Sequence, residues 1–274
     1  MTDLVVIESG REWSQYWRAL WRYRELFVVF AWRDLSVRYK QTVIGVAWAL
    51  IGPLLTVLIL TIVFGRIANL PSEGEAPYAL MVYAGMLPWT FFSTGLANAS
   101  NSLVSNANLI GKVYFPRIIV PTATIVVSLA DFIVSFCMLL ALMVWYRFQV
   151  GWHIVLLPIF FFLGLLATLG PALWISALSV KYRDFRYVIP LVLQLGLYAS
   201  PVGFSSNVVP EQWRLFYSLN PMVSVIDGFR WCLLAGQSQV YLPGLALGLG
   251  VISLFLLFGL TRFRATEDSL ADVI

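Results

Sequence analysis

A chain of 274 residues that is 60% hydrophobic and 12% charged carries about half the charge of an ordinary globular domain. It has too little polar side chain to cover a water-facing surface, which excludes a soluble enzyme or binding module and makes the bilayer its solvent. The net charge of +4 comes from basic residues flanking apolar runs, a pattern of membrane topology rather than of nucleic-acid binding.

Residues 1–10 lack a basic segment followed by an apolar core, so no signal peptide is expected and the first apolar helix directs insertion. Over 11–25, Trp13, Trp17, Leu20 and Trp21 share one helical face, while Arg11, Arg18, Arg22 and Glu25 fall largely on the other. This predicts an amphipathic helix lying among lipid headgroups; a helix packed on a protein partner is the alternative. Residues 26–42 mix Phe27, Phe30 and Trp32 with Arg33, Arg38 and Lys40, and read as an elbow into the bilayer.

Six apolar runs follow, over about 43–64, 78–96, 118–145, 154–178, 187–204 and 242–261. Gly52-Pro53 inside the first is a candidate kink. The second continues as helix into the polar stretch 98–108. Loop 65–77 and the run Lys181-Tyr182-Arg183-Asp184 are polar and lie outside the hydrocarbon. Residues 205–240 are interrupted by Pro210, Pro221, Gly228 and Gly236 and carry Glu211, Arg214, Asp227 and Arg230, so they are too broken to cross. Two short helices that dip in and return fit such a segment. The expected fold is an all-α integral membrane protein: a cytoplasmic helix and elbow (1–42), a transmembrane domain of six helices with two short re-entrant helices between the fifth and sixth (43–261), and a polar tail (262–274). With both termini cytoplasmic, all of the 18 Lys and Arg except Arg66, Arg147, Arg214 and Arg230 fall on the inner side, as the positive-inside rule requires.

The chemistry is sparse. Gly111-Lys112 is followed by Val113, so no phosphate-binding loop of the G-x-x-x-x-G-K-[ST] kind is present, and no catalytic group or cofactor site is expected in this chain. Cys137 and Cys232 have no metal-ligand spacing, and His153 stands alone as a surface or interface residue. Asp131 falls near the middle of the third run, where an acid costs at least about 2.5–3.5 kcal/mol unless paired or wet. It has two readings, a gating group facing a pore and a hydrogen-bonded structural residue. Among the aromatics, Tyr39, Trp89, Phe91, Tyr198 and Phe204 are candidates to line a conduit, since flat rings can meet the C–H faces of sugars; belt or core packing is the simpler reading of each.

Four patterns occur in a fixed order. The first is Arg38-Tyr39-Lys40-Gln41-Thr42 followed by Gly45, Trp48 and Pro53-Leu54. The second is Lys112-Val113-Tyr114-Phe115-Pro116-Arg117 with Pro121. The third is Tyr182-Arg183-Asp184, then Gln194 and Ser200-Pro201-Val202. The fourth is Asn220-Pro221 followed by Phe229-Arg230. Together they span 38–230 and resemble the membrane subunit of ABC-2 type exporters of polysaccharides and polyol phosphates. Ile44 stands where that family has Leu, and Ile118 where it often has Glu.

The resemblance implies a homodimer in the bacterial inner membrane, with a translocation path between the copies for a lipid-linked polysaccharide. O antigen is the first choice, and capsular polysaccharide or teichoic acid the second. It also implies two copies of a separate ABC subunit that binds ATP and Mg. The loop 105–117 is then expected to form a short helix ending at Pro116 that docks on that subunit. ATPase coupling would draw on Arg38, Lys40, Gln41, Asn108, Lys112, Tyr114, Phe115, Arg117, Arg183 and Asp184. For Arg38, Lys40 and Arg117, simple anchoring in the headgroups stays open beside coupling. A channel or gate would draw on the five aromatics above with Asp131, Asn220 and Arg230. The rivals are a membrane glycosyltransferase, which needs a cluster of acids that Asp184 lacks, and a passive channel, which needs no ATPase.

Overall fold

The computed structural model describes residues 13–40 and 47–267, and no strand occurs among them. Gln41, Thr42, Ile44, Gly45, Arg11 and the end of the tail lie outside the described residues.

The N-terminal amphipathic stretch is shorter than expected. Helix α1, Trp13–Arg22, breaks at Tyr23, and α2, Arg24–Lys40, starts beyond it as a separate helix. Helix α1 buries Tyr16 and leaves Trp17 and Trp21 53% and 71% exposed, so its tryptophan face points outward, as suits a headgroup layer. The first apolar run is α3, Ala47–Leu60, extended by a π-helical stretch, Thr61–Ile67, three residues beyond the expected end. Pro53 sits inside α3 without ending it.

Helix α4, Tyr78–Ser105, carries straight through Pro88 into the polar stretch, as the sequence suggests. It is the axis of the fold: 67% of its apolar stretch is buried, against 11% for the α3 run. A helix apolar all round finds stability only when surrounded, and α6, α7, α8 and α10 pack on it. The one-turn helix α5, Ala107–Ile110, leads to α6, Ile119–Trp145. A 3₁₀ turn, Trp152–Leu156, opens α7, Leu157–Lys181. Helix α8 is Phe185–Ala199, α9 is Glu211–Tyr217, α10 is Pro221–Leu233 and α11 is Leu242–Glu267.

Among the described residues, five helical stretches are long and apolar enough to cross a membrane: Leu50–Ile67, Tyr78–Ser105, Ile119–Trp145, Trp152–Lys181 and Leu242–Glu267. The run expected over 187–204 differs. Its helix, α8, stops at Ala199 after 15 residues, a rise of about 22 Å against a hydrocarbon core of about 30 Å. The cause is local: Pro201 disfavours helical geometry at the residue before it, and Ser200 is extended at φ −101°, ψ 154°. Helix α11 runs to Glu267, past the expected start of the tail. The segment expected to hold two short helices does so, as α9 and α10.

Helices α7 and α11 touch through their backbones. A Cβ added to Gly259 would collide with the Gly170 carbonyl, and one on Gly170 would lie 2.6 Å from the Phe255 carbonyl carbon. Only glycine permits that approach. At one end of the bundle, Tyr16, Phe30, Leu103, Phe115, Leu173 and Phe263 form a shared core that joins α1, α2, α4, α6, α7 and α11. This is the inner end under the charge argument above.

Candidate functional site

At the inner end, α2 lies along α6. The ring of Phe30 meets Phe115 at 5.7 Å. Arg33 donates to Asn106 at 2.8 Å and to Asp34 at 2.7 Å. Further along α2, Arg38 pairs with Asp131 at 2.5 Å, and the Tyr39 hydroxyl donates to Asp131 Oδ1 at 2.6 Å. Asp131 is 7% exposed, so its charge is matched by a guanidinium and a phenol rather than left bare in hydrocarbon. Partial burial, then the hydrogen bond to and the negative charge of Asp131, push the Tyr39 phenol up to about 12. The elbow is thereby pinned to the middle of α6. A groove of about 550 Å³ runs beside it, lined by Arg33, Arg38, Asn98, Asn101 and Asn106.

The expected docking helix over 105–117 is only one turn. Helix α5 ends at Ile110, residues 111–118 are turns and irregular chain, and Pro116 lacks the N–H that a continuing helix needs. Asn108 and Lys112 are exposed, as are Leu109, Val113 and Tyr114, the last two at 50%. Phe115, by contrast, is buried and roots the loop against Phe30. The Arg117 backbone N–H donates to Glu267 Oε1 at 2.7 Å, which ties the loop to the end of α11. Arg183 and Asp184 are exposed in the turn between α7 and α8. Val180, just before that turn, packs on the same core as Phe115, so both exposed segments belong to one face. Lys40 closes α2.

At the opposite end, α10 carries Arg230, which has no exposed surface. Its Nε donates to Met81 O at 3.2 Å, Nη2 to Val202 O at 2.8 Å and Nη1 to Phe204 O at 2.8 Å; Nη1 also lies 3.5 Å from Glu73 Oε1. A buried guanidinium is tolerable only when its donors are satisfied in this way. Gly85 makes room for it, since a Cβ there would stand 2.8 Å from Nη2. One side chain thus clasps α4, α10, the loop after α3 and the turn after α8. Asn220 caps α10: its side chain accepts from Met222 N at 3.0 Å and donates to Ser200 at 2.9 Å.

The five aromatic candidates do not form one lining within the chain. Phe91 is buried among Phe132 and Phe161. Trp89 is buried between Phe92 and Gly196 of α8. The Phe204 ring lies on Phe64, Tyr39 faces Asp131, and Tyr198 is 59% exposed. His153 stacks on Trp152 and meets Trp231 edge-on. Met81 and Gly85 of the clasp were not singled out from the sequence, and neither Glu73 nor Val202 was given a site role there. The available signal was Arg230 itself: a cation inside an apolar segment demands acceptors from elsewhere.

The model of the ABC-2 type transporter family matches residues 25–234. An O-antigen export system permease protein, RfbA, of Myxococcus xanthus is 29% identical over 217 residues, covering 78% of this chain and 82% of that protein. An RfbA of Klebsiella pneumoniae is 27% identical over 241 residues, covering 84% and 91%. The polysialic acid transport protein KpsM of Escherichia coli is 24% identical over 246 residues, covering 87% and 92%.

Proposed function

Because the chain belongs to the ABC-2 type transporter family, we propose that it is the membrane subunit of an ATP-driven exporter of lipid-linked O antigen. The observation that carries this reading is the alignment, over most of both chains, with proteins named as O-antigen export permeases. The energy source is a separate ABC subunit, two copies per exporter, which binds ATP and Mg.

The exporter works as a homodimer in the bacterial inner membrane with both termini cytoplasmic. Two helices have apolar faces that a second copy suits. In α3 these are Leu55, Leu58 and Ile59, each more than half exposed; in α8 they are Tyr187, Leu191, Leu195 and Tyr198. Helical spacing puts each set on one side of its helix. The path runs between the two copies. Helix α8 is the sixth crossing, completed by the turn that follows it, and α9 and α10 dip in from the outer side. The exposed inner loops around Lys112–Tyr114 and Arg183-Asp184 dock on the ATPase, and the elbow relays its motion through Arg38 and Tyr39 to α6.

Deleting the coding sequence from its host tests the reading. O antigen should vanish from the cell surface while lipid-linked polymer accumulates inside, and the restored chain should reverse both. Unchanged surface O antigen in the deletion strain would overturn it. Capsular polysaccharide is the second reading, favoured by the likeness to polysialic acid transport proteins. Loss of capsule with O antigen intact would select it.

A further inference from the structure

A cavity of about 360 Å³ opens at the outer end, between the loop at 71–74, the turn at 205–208 and the loop at 237–239. Six side chains give it its chemistry: Ser72, Glu73, Ser205, Asn207, Gln237 and Gln239. Glu73 is the unusual one. It is 5% exposed, its Oε1 faces Arg230, and its Oε2 is buried with no hydrogen-bond partner among the described residues. Buried carboxylate oxygens are rarely left unpaired, so this one awaits a donor that the described residues do not supply.

The other groups define the donor. Gln237 Oε1 already accepts from Glu75 N at 2.8 Å, and Asn207 Oδ1 accepts from Arg214. Ser205 Oγ accepts from Asn207 N at 3.3 Å, and Ser72 Oγ donates to Ala76 O at 2.6 Å. With their oxygens committed, the Asn207 and Gln237 amides have NH₂ ends to offer, and Gln239 adds a further amide. One unpartnered, buried carboxylate oxygen beside several amide donors does not suit a calcium-like cation. Such a cation takes six to eight oxygens, and here Arg230 and Arg214 stand close by. An anion would meet Glu73, and an apolar ligand would find only Pro71 and Val208 among polar side chains. A hydroxyl group both donates and accepts, and so matches the set.

The geometry points to a binding subsite for one uncharged sugar ring of the exported polymer. Glu73 accepts a hydroxyl proton in hydrogen bonding, and the side-chain amides donate to neighbouring hydroxyl oxygens. The space is that of a sugar ring rather than of a single water. The inference rests on the exporter reading and places a specificity contact where the chain emerges. Sites of this kind discriminate strongly, because an analogue lacking the hydroxyl leaves the buried acid unpaired.

The test uses the full exporter, with its ATP-binding subunits, in lipid nanodiscs. The probe is a set of oligosaccharides of one to three repeats, released by mild acid from the host's own surface polysaccharide, and binding is followed by saturation-transfer NMR. The wild-type exporter should bind, and Glu73→Gln and Gln239→Ala should each weaken binding about tenfold. Glu73→Gln also touches the Arg230 clasp. Gln239→Ala breaks no hydrogen bond in the described chain and should leave the thermal midpoint unchanged, so it isolates the pocket. The inference is overturned if the wild type does not bind, the pocket then holding water only, or if Gln239→Ala and Asn207→Ala bind as the wild type does. Failure of the exporter reading looks different: surface polymer would persist without the chain. Polymer export that needs the chain, beside pocket variants with unaltered binding, removes the subsite alone.

Discussion

Arg230 and Arg38 are both arginines facing a carboxylate, one at each end of the same bundle, yet their surroundings make them different devices. Arg230 is wholly buried, and its donors are spread over three backbone carbonyls and Glu73. Arg38 leaves 37% of its side chain uncovered by the rest of the chain while pairing with Asp131. Desolvation makes the outer contact all-or-none: with any partner missing, a charge is stranded. Arg38 is less enclosed, which lowers the cost of breaking its contact. A rigid clasp and an adjustable elbow follow from where the same chemistry is placed.

The comparison can be broken most decisively at Arg230. Arg230→Leu should cost about 3–5 kcal/mol, since it leaves Glu73 and three carbonyls unpaired; the expected result is loss of monodisperse protein in detergent, and wild-type thermal stability would refute the clasp. Gly85→Ala should act next, because its Cβ would stand 2.8 Å from Nη2; a cost of about 1–3 kcal/mol should appear as a lowered thermal midpoint. At the inner end, Arg38→Ala and Asp131→Asn in a double-mutant cycle should show a coupling of about 1 kcal/mol or less that shrinks with salt, while export of polymer falls. Tyr114→Ala with Arg183→Ala should leave stability within about 0.5 kcal/mol and reduce co-purification of the ATPase. The smallest effect concerns pH. The Tyr39 phenol is raised from 10.0 to about 12, so its contribution is complete below pH 10 and is lost as pH rises through about 12. Ultraviolet titration of the wild type against Tyr39→Phe should show the missing late-ionising phenol.

What could be read from the sequence was whatever depends on neighbours along the chain. Apolar runs marked the long helices, and the prolines and glycines of 205–240 marked two short helices instead of one long one. The end of α8 was missed although Pro201 was in plain sight, because the hydropathy of Val202 and Phe204 continues past the break. The docking helix is shorter than the sequence suggests: it ends at Ile110, six residues before Pro116, with no local break in the sequence to mark the end. Pairings between distant residues were not legible at all. Tyr39 and Asp131 are 92 positions apart and Arg230 and Glu73 are 157, and nothing local selects one acid over another. Asp131 could be seen to need a partner; that the elbow supplies it is a property of packing.

The backbone contact between Gly170 and Gly259 has a mechanical meaning. Two helices that touch at a carbonyl can neither slide nor counter-rotate without collision. With α4 enclosed beside them, α7 and α11 act as a stator. The pliable parts are those the stator does not grip: α3, with one tenth of its apolar run covered, and α8, which buries only Ile189 and Leu193. Force applied to the chain should then displace α3 and α8 against a frame that keeps its shape.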